Sequence, residues 1–140
     1  TLTTSLMAND AQVIFDRSHL HQAMWKLMEN ALQHAGSEGK VPTVNIATER
    51  VPETGYCLIT IEDNGPGVLE ENREHIFEPF FTTHKMGSGL GLYIARQLCE
   101  ANQAELTVDS IPGSGTAFYI RLALARSEAN NTETLVGKDT

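Results

Sequence analysis

The 140-residue sequence predicts a two-layer α/β sandwich of the α+β class, a mixed but mainly antiparallel sheet with helices on one face. Three observations predict it. Apolar residues recur at helical spacing in two stretches, from Leu20 to Ala35 and from Leu90 to Ala101. Others alternate with their neighbours, as strand residues do, around Val44, Leu58, Leu106 and Phe118. The alternation is clean, which marks sheets covered on one face and open to water on the other, as antiparallel and mixed sheets are.

Residues 1–10 read as an N-terminal flank, 11–124 as one domain, and 125–140 as a disordered tail, because "SEANNTETLVGKDT" is polar and aperiodic. After the short apolar run Val13 to Phe15, Asp16 or Ser18 is placed to cap a helix carrying Leu20, Met24, Leu27, Met28, Ala31 and Ala35, ending near Gly36. Val44 and Ile46 begin a strand, and Leu58 to Glu62 form its hairpin neighbour after the turn-like "PETG". Leu90, Ile94, Leu98 and Ala101 mark a second helix that stops around Asn102. Leu106 and Val108 alternate, "PGSG" turns the chain, and Phe118, Ile120, Leu122 and Leu124 make the longest strand.

The formal charge of −8 argues against a broad hold on nucleic acid, which needs a basic face to displace counterions. Any phosphate ligand must be held locally. Cys57 and Cys99 form no CxxC pair and fit buried, reduced thiols. No run approaches the roughly 18 apolar residues of a membrane span. The opening Thr1, in place of an initiator methionine, suggests a piece of something longer.

Between Ile61 and Leu92 seven residues are glycine or proline, too many for ordinary core. In the strand before them, Asp63 shares the phase of Ile59 and Ile61, which aims a carboxylate at the core. Either a donor from protein or ligand meets that charge, or Asn64 and Gly65 form a two-residue hairpin turn and Asp63 bonds its own backbone. "GSGLGL", Gly87 to Leu92, opens the second helix, where free N–H groups and the positive dipole end attract anions; the competing reading is a plain flexible loop. No Walker GxxxxGK[ST], Rossmann GxGxxG or protein-kinase VAIK, HRD or DFG occurs. Asn30 sits in mid-helix with Lys26, Gln33 and His34 on one polar face, which is either a solvated face or a ligand face.

Taken in order, "MENALQHA", "DNGPGV", "FEPFF", "GSGLGL" and the "GSGT" of Gly113 to Thr116 resemble the N, glycine and phenylalanine boxes of the ATP-binding domain of sensor histidine kinases, over about residues 11–124. "GLGLYIARQLCEANQAEL" looks most like the sensor kinases that regulate type IV pilus genes. The resemblance implies the Bergerat sandwich shared with gyrase, MutL-type proteins and heat-shock chaperone ATPases. It implies ATP and Mg²⁺ between helices and sheet: Asp63 on the adenine amino group, Gly65 and Gly67 close to the base, and Asn30 as metal ligand. Gly87, Ser88, Gly89, Leu90, Gly91 and Leu92 would lie around the phosphates, with His34 and Thr116 lining the same site. Phe77, Phe80 and Phe81 would hinge a lid over Thr82 to Ser88, or pack the core.

Two departures stand out. Lys26 replaces a further Asn that the family often keeps one turn before Asn30; it cannot ligate a metal while protonated, yet with Asn30 it is a catalytic candidate as a point charge on phosphate. The lid reads "TTHK" where "TTK" is usual, so either His84 or Lys85 meets the γ-phosphate. The implied activity is protein-histidine kinase chemistry, with the γ-phosphate passing to a histidine on a separate dimerisation domain of the same kinase and then to a response regulator. None of His19, His21, His34, His75 and His84 stands in the family's phosphorylated "HE" context. The implied setting is cytoplasmic, without membrane contact by this domain, in a membrane-anchored parent. The rival readings are a gyrase-type ATPase, which would need a carboxylate where Lys26 stands, and a non-catalytic nucleotide sensor.

Overall fold

A computed structural model describes residues 2–6, 13–36, 39–51, 55–82 and 89–124. The elements run β1 (Leu2–Leu6), α1 (Arg17–His34), β2 (Val44–Val51), β3 (Tyr56–Asp63), α2 (Glu70–Arg73), α3 (Gly91–Ala101), β4 (Glu105–Ile111) and β5 (Gly115–Ala123). The strands form one sheet in the order β1-β2-β3-β5-β4. β1 lies parallel to β2 and every other pairing is antiparallel, which is the mixed, mainly antiparallel sheet that the alternation predicts.

Period two decides the layers. On β3, Cys57, Ile59, Ile61 and Asp63 are buried and Glu62 is exposed; on β5, Thr116, Phe118, Ile120 and Leu122 are buried and Arg121 is exposed. The buried set joins Ala23, Leu27 and Ala31 of α1 and Ala95 and Cys99 of α3 in one core. Both helices therefore cover the same face, packing on each other as well as on the sheet.

Local chemistry sets the helix ends. The Asp16 side chain accepts the His19 N–H at 2.9 Å, satisfying an orphan donor of α1. Asn102, at the end of α3, accepts the Asp16 N–H at 2.8 Å and donates to the Leu98 carbonyl at 2.8 Å. One side chain thus ties the start of α1 to the end of α3 and holds the helix pair in register. Cys57 and Cys99 are free and buried, and burial pushes the Cys99 thiol up to about 11.

The structure adds to the sequence reading and corrects it in places. The predicted flank contains β1, whose apolar residues are too few to show a period. The single turn α2 lies inside the glycine-rich stretch, and Leu124 falls just beyond β5, bridging Val13. Asn64 and Gly65 make no hairpin: β3 pairs with β2 and β5, and the chain leaves Asp63 toward α2. The tail and the 83–88 stretch lie outside the described residues.

Candidate functional site

Asp63 ends β3 with only 6% of its surface exposed, opposite Thr116 of β5, which is 7% exposed. Its Oδ1 accepts the Gly65 N–H at 2.8 Å. Burial pushes its carboxyl above the ordinary range, and the Gly65 N–H, His34 and the Thr116 backbone offset part of that rise. The residue accepts a local bond as the turn reading expects, and it also stays a buried acceptor facing the helices.

Gly65 is required sterically. A Cβ there would lie 2.0 Å from the His34 carbonyl oxygen and 2.9 Å from Asp63 Oδ1, so no side chain fits between the end of α1 and the end of β3. Asn64, whose sequence context suggests only a turn residue, fixes that approach. Its Oδ1 accepts from the N–H groups of Gly36 (2.8 Å) and Thr43 (2.9 Å), and its Nδ2 donates to the Val41 carbonyl at 2.8 Å. The loop after α1 is thereby fastened to the first glycine box.

Ser110, outside every box, fastens the other side. Its Oγ accepts the Val68 N–H at 2.7 Å and donates to the Gly115 carbonyl at 3.0 Å, joining the first glycine box to the last. A Cβ on Gly67 would reach that Oγ at 2.9 Å. Nothing in local pattern marks Ser110, because its partners lie 42 and 5 residues away. Ser110→Ala should cost about 1–3 kcal/mol by leaving two buried backbone groups unpaired. Urea unfolding reads this directly, and a midpoint equal to wild type would show that the link carries no load.

On α1, the His34 Nδ1 lies 2.8 Å from the Asn30 carbonyl oxygen, which can only accept, so that nitrogen carries the proton. The Asn30 Nδ2, a second donor, approaches the same nitrogen at 3.4 Å. Asn30 Oδ1 is buried and has no hydrogen-bond partner among the described residues. Native structures rarely leave such an acceptor orphaned without a reason, and a ligand or cation supplies one. One turn earlier, Lys26 sends its stem toward α3: its Cδ is 4.0 Å from where a Cβ on Gly91 would lie, with no closer atom among the described residues. Gln33 is exposed to solvent.

Leu90 caps α3 and Leu92 packs against the core. Phe77 meets Phe118 edge to face at 6.1 Å with the Arg96 guanidinium 5.2 Å over its ring, and Phe81 also packs on the core, so these two aromatics fill the core as the competing reading expects. Phe80 differs. It is 74% exposed at φ 69°, and its N–H bonds the Gly89 carbonyl at 2.7 Å, closing the base of the segment between them. His84, Lys85, Gly87 and Ser88, all expected at the phosphates, fall in that segment and outside the described residues.

Boxes distant in sequence thus converge: the N box meets the first glycine box at His34 and Gly65, Lys26, just before the N box on α1, approaches the second at Gly91, and the first meets the last through Ser110. A cleft of about 440 Å³ lined by Tyr56, Arg96, Gln103 and Arg121 lies toward the opposite end of β3 and shares none of these residues. Among the described residues no three His, Cys, Asp or Glu side chains gather to hold a metal.

Fold and site define a sandwich of helices on one face of a sheet, with a buried carboxylate, a buried amide oxygen without a partner among the described residues, and closely packed glycines where the two layers meet. The family model for histidine kinase-, DNA gyrase B- and HSP90-like ATPases matches residues 15–126, and the chain belongs to that family. Sensor protein kinase PilS of Pseudomonas aeruginosa is 36% identical over 125 residues, 89% of this chain and 24% of that protein. The catalytic domain of histidine kinase ThkA superposes with a TM-score of 0.76 at 26% identity, covering 91% of this chain and 80% of that one. Full-length ShkA in complex with AMPPNP gives 0.75 at 25% identity, covering 89% of this chain and 26% of that one. The chain therefore spans about a quarter of the length of PilS, and the shared part is the catalytic, ATP-binding part of such kinases. No helix among the described residues is long and apolar enough to cross a membrane.

Proposed function

We propose that this chain binds Mg·ATP between its helices and sheet and presents the γ-phosphate to a histidine on a separate dimerisation domain, in a two-component pathway that ends at a response regulator. The observation that carries this reading is the buried Oδ1 of Asn30, without a hydrogen-bond partner among the described residues, one turn along α1 from Lys26, whose stem runs toward Gly91 at the start of α3.

Asp63 accepts the amino group of the base, and Gly65, which lets the end of α1 close on the end of β3, holds the Asp63 carboxylate in place through its N–H. Thr116, buried beside Asp63, lines the same end. The N–H groups at the start of α3 face the phosphates, and Gly91 keeps that approach open. When bound, magnesium supplies charge neutralisation across the phosphate oxygens, and Asn30 is the residue that offers it an oxygen. Transfer of this kind depends on positioning and on charge balance rather than on a protein nucleophile. In the place where a water-activating base would stand, the chain has Lys26, and the neighbouring Glu29 carboxylate lies toward Lys26 at 3.9 Å.

Radiolabelled ATP tests this reading. The chain alone should release almost no free phosphate and retain no label, and adding the histidine-bearing domain of the parent kinase should place the label on that domain. Rapid phosphate release, or label kept on the isolated chain, would replace the kinase reading with an ATPase or a self-modifying enzyme.

A further inference from the structure

We infer that Lys26 is a built-in cation at the phosphate end of the site, taking a share of the charge neutralisation that otherwise falls to magnesium, so that nucleotide binding by this chain depends less on the metal. The inference rests on the Mg·ATP reading above and concerns the electrostatics of that same site.

Lys26 and Asn30 are four residues apart on α1 and share one side of the helix. The Lys26 stem runs toward Gly91, the first residue of α3, where a Cβ would meet Lys26 Cδ at 4.0 Å and nothing nearer among the described residues. That brings the Lys26 side chain beside the positive end of α3, whose first turn carries no acidic residue. Two positive features side by side make a poor arrangement unless an anion sits between them. The nearby Glu29 is a weak partner: its Oε1 stands 3.9 Å from Lys26 Nζ, beyond hydrogen-bonding distance, and both side chains are over a third exposed. A phosphate in direct contact would displace it. Asn30 Oδ1, the neutral acceptor beside Lys26, suits a metal and not a phosphate, so the two side chains divide the work: the amide oxygen for the cation, the ammonium for the anion.

A chain of net charge −8 repels a metal-free polyphosphate, which makes a fixed local cation consequential. Lys26 and Mg²⁺ neutralise the same oxygens, so each reduces what the other adds. That redundancy appears as a coupling between side chain and metal.

The experiment is ATP titration by calorimetry in EDTA and in magnesium, for the wild type, Lys26→Gln, Lys26→Asn, Lys26→Arg and Asn30→Ala, with adenosine as a base-only probe and thermal melts to establish folding. Lys26→Gln and Lys26→Asn should lose about tenfold or more of metal-free ATP affinity, the scale of one charged hydrogen bond, and much less in magnesium. The magnesium dependence therefore rises. Lys26→Arg should keep the wild-type ratio, adenosine should bind all Lys26 variants alike, and Asn30→Ala should do the reverse, keeping metal-free affinity and losing the magnesium increment. Equal losses in both buffers, or none in either, would overturn the inference. Failure of the underlying Mg·ATP reading looks different: the wild type then binds ATP in neither buffer, and the inference falls with it.

Discussion

Asp63→Asn should bind ATP about tenfold to a hundredfold more weakly than the wild-type chain, the range for mispairing one buried polar group. The geometry leaves the amide little choice. Gly65 donates its N–H to Oδ1 at 2.8 Å, so the substituted side chain must keep its oxygen there and turn its NH₂ toward the ligand, where a donor then faces the amino group of the base. Equal affinities for wild type and variant would remove Asp63 from the base site.

The same substitution separates function from folding through pH. Burial raises the Asp63 carboxyl, so across the affected interval the folded chain holds a proton that the unfolded chain has released. Its contribution to stability is therefore full below the ordinary carboxylate range and is lost as pH rises through the raised value. The Asp63→Asn variant has no titrating group there and no such dependence. In melts without nucleotide, Tm of the variant minus Tm of wild type should increase from acid toward neutral pH, while ATP affinity moves the other way. A difference that does not change with pH would mean that Asp63 is not a buried charge in the free chain.

Gly65→Ala should damage the site severely. The added carbon would lie 2.0 Å from the His34 carbonyl oxygen, and the backbone on either side is fixed, by Asn64 to Gly36, Val41 and Thr43 and by the β3 ladder up to Asp63. Relief requires separating the end of α1 from the end of β3, at a cost of about 3 kcal/mol by the usual scale of overpacking. ATP binding should be lost with it. Gly91→Ala is the informative contrast, because among the described residues a Cβ there meets nothing nearer than Lys26 Cδ at 4.0 Å, and Ala is a better helix former than Gly. Gly91→Ala should melt at or above the wild-type temperature and still bind ATP more weakly, as the proposed approach of the phosphates to the start of α3 requires. Denaturation and calorimetry on the pair check both halves. Wild-type stability and affinity for Gly65→Ala would refute the close approach.

Much of this was legible along the chain. Alternation in Ile59, Ile61 and Asp63 was enough to put a carboxylate on the covered face, because strand phase is a local property that a ligand does not alter. The spacing of Leu20 to Ala35 located α1 and offered Asp16 or Ser18 as its cap, since a cap needs only residues three apart; the structure chose Asp16. The order of the boxes named the family, and the family match over residues 15–126 agrees.

What the chain order could not contain is which distant groups share a bond. β1 has no period of its own and exists by pairing with β2. Asn64 looked like half of a hairpin turn because Asn-Gly usually is one; two N–H groups and a carbonyl from the loop after α1 take its amide instead, and tertiary bonds override a turn preference worth less than they are. Ser110 was invisible, and Phe77 and Phe80 were indistinguishable until one met Phe118 in the core and the other stood in solvent. Sequence by itself determined the layers, the caps and the chemistry on offer, all of which depend on neighbours within a few residues. Only the tertiary structure decided that Asn30 Oδ1 is left without a partner among the described residues and that Lys26 runs to Gly91, because those facts are distances between helices and such distances are set by packing, not by spacing along the chain.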